Sequence, residues 1–66
     1  MASYYVNDDA QANGDHEVHV SSCNYFPSNR TYLGEFSSCS PAVTEARKKW
    51  HQVNGCYWCC RDCHTS

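Results

Sequence analysis

Apolar and polar positions recur with two different periods along the chain, and the change of period divides it. Ser3 to Asn7 carries Tyr4, Tyr5 and Val6, an aromatic and β-branched run that predicts a first strand. From His16 to Val20, His16, Val18 and Val20 alternate with Glu17 and His19, the period of a half-buried strand. Between the two lies Asp8 to Asp15, rich in turn formers and containing Asn13-Gly14, so they are expected to pair as a hairpin. Pro27-Ser28-Asn29 reads as a loop, and Arg30 to Phe36, with Thr31, Tyr32, Leu33 and Phe36, as a third strand. The period then lengthens. Val43, Ala46, Trp50 and Val53 form one apolar stripe, which predicts a helix over about 41–53. Ser40 suits its N-cap and Pro41 its first position, while Arg47, Lys48 and Lys49 favour the carboxyl end of the helix dipole. Asn54-Gly55 is expected to stop it. The sum is an α+β fold, a short antiparallel sheet or β-hairpin packed on one helix, with residues 1–66 forming one domain.

Length decides what such a fold needs. A chain of 66 residues buries only about 60% of the surface its unfolded form exposes. Conformational entropy then roughly cancels apolar burial, so a domain of this size usually carries a staple. Six cysteines and four histidines supply the material for one. Mean hydropathy is −0.73, and no apolar run of about 18 residues exists to span a bilayer, so no membrane association is expected. A net charge of −2 provides no bulk cationic field for nucleic acid or anionic lipid. Aromatic content of 14% with 18% charged residues is unlike a disordered tail. Met1-Ala2-Ser3-Tyr4-Tyr5 lacks the basic and apolar segments of a secretory signal, which points to the cytoplasm; a monomer is expected.

In that compartment thiols stay reduced, and clustered cysteines more often bind metal than bridge. The spacing agrees. Two consecutive C-x2-C pairs, Cys56/Cys59 and Cys60/Cys63, lie side by side near the carboxyl end. A C-x2-C turn directs two thiolates at one point and so makes half of a tetrahedral zinc site. The other half is expected from His19 and Cys23, an H-x3-C pair upstream. Thiolate and imidazole together select Zn²⁺ over magnesium or calcium. Gly55 allows a tight turn into Cys56, which favours Cys56 and Cys59 as ligands over Cys60 and Cys63. The expected set is therefore His19, Cys23, Cys56 and Cys59. Cys39 reads as a small buried hydrophobe, Cys60 and Cys63 as buried thiols or a second, redox-active pair, and His64 as a solvated terminal imidazole. Three disulfides remain the alternative staple. His16 and His19 are one residue too close for the H-E-x-x-H of metalloproteases.

The order of strand, His19-x3-Cys23, strand ending in Phe36-Ser37-Ser38, helix, then Gly55-Cys56-x2-Cys59 resembles the Ada-type metal-binding domain, the small zinc domain of the bacterial alkylation-response protein. It is also similar to small bacterial modules with an H-x3-C…C-x2-C signature and a Cys-His-Thr-Ser-like tail. The likeness covers about Tyr4 to Cys59 and implies a zinc-stapled fold. Where the Ada-type domain has its methyl-accepting cysteine, this chain has His19, so the resemblance supports the fold and the metal more than repair.

Function follows from the closed coordination. Four protein ligands leave no position for a catalytic water, which argues for a structural metal and against an enzyme. Tyr4, Tyr5, Tyr25, Phe26, Tyr57 and Trp58 exceed what so small a core encloses, so some are expected on the surface, facing a protein or weakly bound nucleic-acid partner. The alternatives are a zinc-thiolate methyl acceptor, with Cys23 or Cys56 as the nucleophile, and a disulfide-stabilised or redox-active protein using Cys39, Cys60 and Cys63.

Overall fold

The computed structural model describes residues 1–64, so the Thr65-Ser66 end of the tail lies outside the described residues. Strands β1 (Ala2–Asn7), β2 (His16–Val20) and β3 (Arg30–Phe36) fall where the alternation places them. They precede helix α1 (Cys39–Ala46), a short strand β4 (Val53–Gly55) and one 3-10 turn, Arg61–Cys63. The sheet order is β3-β1-β2-β4. β1 is central and antiparallel to both neighbours, with Tyr5 opposite His19 and Val6 opposite Val18. β4 runs parallel to β2, with His16 opposite Val53 and Val18 opposite Gly55. The sheet is thus mixed rather than purely antiparallel.

Register decides the core. Side chains alternate across a strand, so Tyr4, Val6 and Val18 share one face. All three are buried, together with Ala42, Val43 and Ala46 of α1. Tyr5, Glu17 and His19 occupy the opposite face. There Tyr5 meets the Phe26 ring edge-on at 5.0 Å, and the Arg30 guanidinium lies over Phe26 at 4.5 Å. β3 carries a bulge opposite Tyr4 and Tyr5, which pair with Gly34 and Tyr32 and leave Leu33 unmatched. Gly34 has φ +127°, and a Cβ there would lie 3.2 Å from the Phe36 ring. Only glycine reaches that backbone geometry without strain.

The helix differs most from expectation. It spans Cys39–Ala46, begins after Ser38 without a side-chain cap, and ends well before Val53. Val43 and Ala46 face the core as the stripe requires. Beyond them the Lys48 and Lys49 amides donate to Glu45 and Ala46 at 3.2 and 3.0 Å, a tightened turn that closes the helix. Trp50 leaves the stripe to stack on His16, with ring centroids 3.9 Å apart and planes 7° from parallel. Asn54-Gly55, expected to stop the helix, instead belongs to β4. Propensity over 47–53 is compatible with helix, but the end of that segment is drawn onto the β2 edge, where the His16 amide donates to the Gln52 carbonyl at 2.9 Å and Val53 pairs with His16. Lys49, freed from the helix, donates to Thr31 Oγ1 at 2.7 Å and to Asp8 Oδ1 at 3.3 Å.

Candidate metal centre

Two turns and two strands bring the four expected residues together. His19 comes from β2, where the pleat carries it away from the helix face. The Cys23 amide donates to the Val20 carbonyl at 3.0 Å, closing a tight turn that returns Cys23 beside His19. Cys56 follows β4, and its amide donates to the Val18 carbonyl at 2.9 Å. The Cys60 amide donates in turn to the Cys56 carbonyl at 2.9 Å, so the chain from Cys56 to Cys60 curls into one turn that carries Cys59 inward.

The donor atoms of His19, Cys23, Cys56 and Cys59 all lie within 4.8 Å of one another, a group that could hold a metal ion. Cys23 Sγ is 3.8 Å from Cys56 Sγ, and Cys59 Sγ is 3.9 Å from His19 Nδ1. Backbone amides point at the sulfurs: Val20 N–H at Cys59 Sγ and Tyr25 N–H at Cys23 Sγ, each at 3.4 Å. Such donors favour the charged thiolate. On the far side of the imidazole, His19 Nε2 lies 3.6 Å from Glu17 Oε1. That leaves Nδ1 facing the sulfurs, the carboxylate–histidine arrangement that orients metal-bound imidazoles. Glu17 escaped notice in the sequence because it occupies a polar strand position. Its signal was the two-residue spacing from His19, which puts both on one face.

Burial sets the protonation of the group. His19 is 2% exposed, and burial pushes its imidazole below the usual value, so it is neutral and able to ligate. Burial pushes the Cys56, Cys59 and Cys60 thiols up. A metal held by the cluster would displace the protons of Cys56 and Cys59 but not that of Cys60, and its own charge supplies the compensation that desolvation removes.

The other cysteines depart from expectation. Cys39 is not a lone buried hydrophobe: it is bridged to Cys63, across a sequence separation of 24. Cys60 and Cys63 therefore do not pair. Cys60 is a free thiol, 2% exposed, with its sulfur 3.8 Å from that of Cys59. His64 is not simply solvated either, because its Nδ1 donates to the Gly55 carbonyl at 3.0 Å and its ring meets Tyr57 edge-on. His16 stays outside the cluster, stacked on Trp50 and bonded through Nδ1 to the Asn7 carbonyl at 3.0 Å. No helix among the described residues is long and apolar enough to cross a membrane. The aromatic surplus divides as expected: Tyr4 enters the core, whereas Tyr25, Tyr57 and Trp58 are exposed. The chain matches no family model, no curated protein and no solved structure.

Proposed function

We propose that the chain is a small zinc-binding domain whose Zn²⁺ is structural, held by His19, Cys23, Cys56 and Cys59, and whose surface serves as an interaction module. The observation that carries this reading is the 3.8 Å spacing of the Cys23 and Cys56 sulfurs. Two sulfurs each about 2.3 Å from a tetrahedral Zn²⁺ are separated by about 3.8 Å. The thiolate-rich donor set supports zinc over hard cations. Four protein donors would close the coordination sphere, so the metal would stabilise the fold rather than activate water. The Ada-type likeness rests on these same residues and on the order of strands and helix, and methyl transfer is no part of the proposal. With three thiolates and Zn²⁺ the formal charge would go from −2 to −3, which disfavours nonspecific attraction to a polyanion.

Cobalt tests the ligand set directly. Titration of the metal-free protein with Co²⁺ is expected to develop the visible bands of a tetrahedral thiolate complex, saturate at equimolar metal, and reverse on addition of Zn²⁺. Cys23→Ser is expected to lose those bands and the dispersion of the NMR spectrum, because metal affinity is folding free energy here. Cys60→Ser is expected to keep both. Native dispersion in metal-free Cys23→Ser would show that the proposed site does not hold the fold.

A further inference from the structure

Two grooves meet at Trp58. One, of about 780 Å³, runs between the start of α1 and the cysteine-rich tail and includes Ser37, Ser40, Arg47, Arg61 and Trp58 in its lining. The other, of about 450 Å³, lies over Cys23 and Cys59 between Asn24, Tyr25 and the same Trp58. The indole between them is 63% exposed and Tyr25 is 59% exposed. Their rings stack with centroids 5.6 Å apart and planes 29° from parallel. The charge is one-sided. Asp62 is the single carboxylate lining the larger groove among the described residues. The Arg47 guanidinium makes no hydrogen bond or ion pair with any described residue. Arg61 lies over the Tyr57 ring at 4.9 Å, which extends the aromatic wall without neutralising the cation.

A planar π-surface beside a groove with two guanidinium groups and several hydroxyls has the chemistry that recognises a nucleotide. The base stacks on the aromatic wall, and the phosphate enters between the guanidinium groups. We infer that Trp58 and Tyr25 form a base-stacking platform and that Arg47 and Arg61 bind the attached phosphate, so that the domain binds a nucleotide, free or within a single strand. The inference deepens the interaction-module proposal and rests on its metal site, since Cys23 and Cys59 hold the chain on either side of the platform. A chain of net charge −2, or −3 once three thiolates hold Zn²⁺, cannot rely on bulk attraction, so binding is local and moderate. Neutralising that one phosphate gives a slope of about −0.7 for log K against log salt on a single strand. Duplex DNA offers no unstacked base and is bound more weakly.

The test is an NMR titration of the metal-loaded protein with a hexanucleotide single strand and, separately, with a mononucleotide. The metal content of every sample is measured by mass. Shifts are expected at the Trp58 indole, Tyr25, Arg47, Arg61 and Ser37 to Ser40. Trp58→Ala is expected to weaken binding about 5- to 150-fold, and Arg47→Ala to weaken binding and flatten its salt dependence, both with metal retained. A strand bound more tightly than the mononucleotide identifies single-stranded nucleic acid as the source; equal affinity identifies the free nucleotide. Metal-loaded protein that shows no shifts with millimolar ligand overturns the inference and leaves the zinc site standing. So does stronger binding of a phosphotyrosine peptide than of either nucleotide probe. Loss of metal in the unmutated protein would instead sink the zinc proposal itself.

Discussion

Gly55 sits where the strand edge, the candidate metal knuckle and the disulfide converge, and adding one methyl group there tests whether they are packed as described. A Cβ on Gly55 would lie 2.7 Å from Cys63 Cβ, 2.8 Å from the Cys60 carbonyl oxygen and 2.9 Å from the Cys63 carbonyl carbon. Comfortable carbon contacts are about 3.5 to 4.0 Å, so the overlap is roughly 1 Å on three sides. None of the three obstacles is the end of a flexible side chain. Two are main-chain atoms, and the third belongs to a cysteine tied to Cys39. Relief therefore requires moving the Cys60–Cys63 turn as a unit, and that turn is bonded to Cys56. Overpacking of a well-filled site costs about 1 to 3 kcal/mol, and Gly55→Ala should fall at the upper end, about 3 kcal/mol, or roughly 150-fold in the folding equilibrium. Metal affinity should fall as well, because the displaced turn begins at Cys60, the residue bonded directly to Cys59 in the chain. Chemical denaturation of the metal-loaded domain reads the first effect, and competition with a chromophoric chelator reads the second. Ser28→Ala, at an exposed loop position, serves as the control and should stay within about 0.5 kcal/mol. Gly55→Ala with the stability and metal affinity of the unmutated protein would show that the tail does not close over Gly55.

Three further outcomes follow from other contacts. Glu17→Gln should weaken zinc binding about 10- to 100-fold with the fold retained, because it removes the carboxylate behind His19; chelator competition measures it, and unchanged affinity would leave His19 without its orienting partner. Cys39→Ser should lower stability by about 3 kcal/mol, the loop-closure entropy of a bridge of this span, while leaving metal stoichiometry unchanged by native mass. Asp8 accepts from the Thr31 hydroxyl at 2.7 Å and from Lys49, and these contacts hold its carboxyl below the usual value of 3.8. Its contribution is therefore complete above that pH and disappears as pH falls through the lowered value. Asp8→Asn should cost no more than about 1 kcal/mol at neutral pH and flatten the acid limb of the stability curve, which denaturation across pH would record.

The strands and the His/Cys cluster were legible for the same reason: each is written in local spacing. Alternation at His16–Val20 places His19 away from Val18, and H-x3-C and C-x2-C are turns that bring donors together within a few residues. The helix end was not local. Trp50 and Val53 continue the stripe of Val43 and Ala46, and only the parallel pairing of Val53–Gly55 with β2 and the stacking of Trp50 on His16 draw them off it. The disulfide was hidden similarly, since Cys39 and Cys63 meet through the packing of α1 against the tail and not through any spacing motif. Glu17 looked like an ordinary solvent-facing strand residue. Its role depends on His19 being buried with one nitrogen turned toward the sulfurs.

The most direct test is native mass spectrometry of the purified protein, compared with its denatured mass and with the mass after chelation. One zinc per chain is predicted, released by chelator together with the fold. The denatured mass should be two hydrogens light for the Cys39–Cys63 bridge, with the thiols of Cys23, Cys56, Cys59 and Cys60 free. A metal-free protein six hydrogens light would contradict the account, because Cys23, Cys56 and Cys59 would then be consumed in bridges and unable to bind an ion.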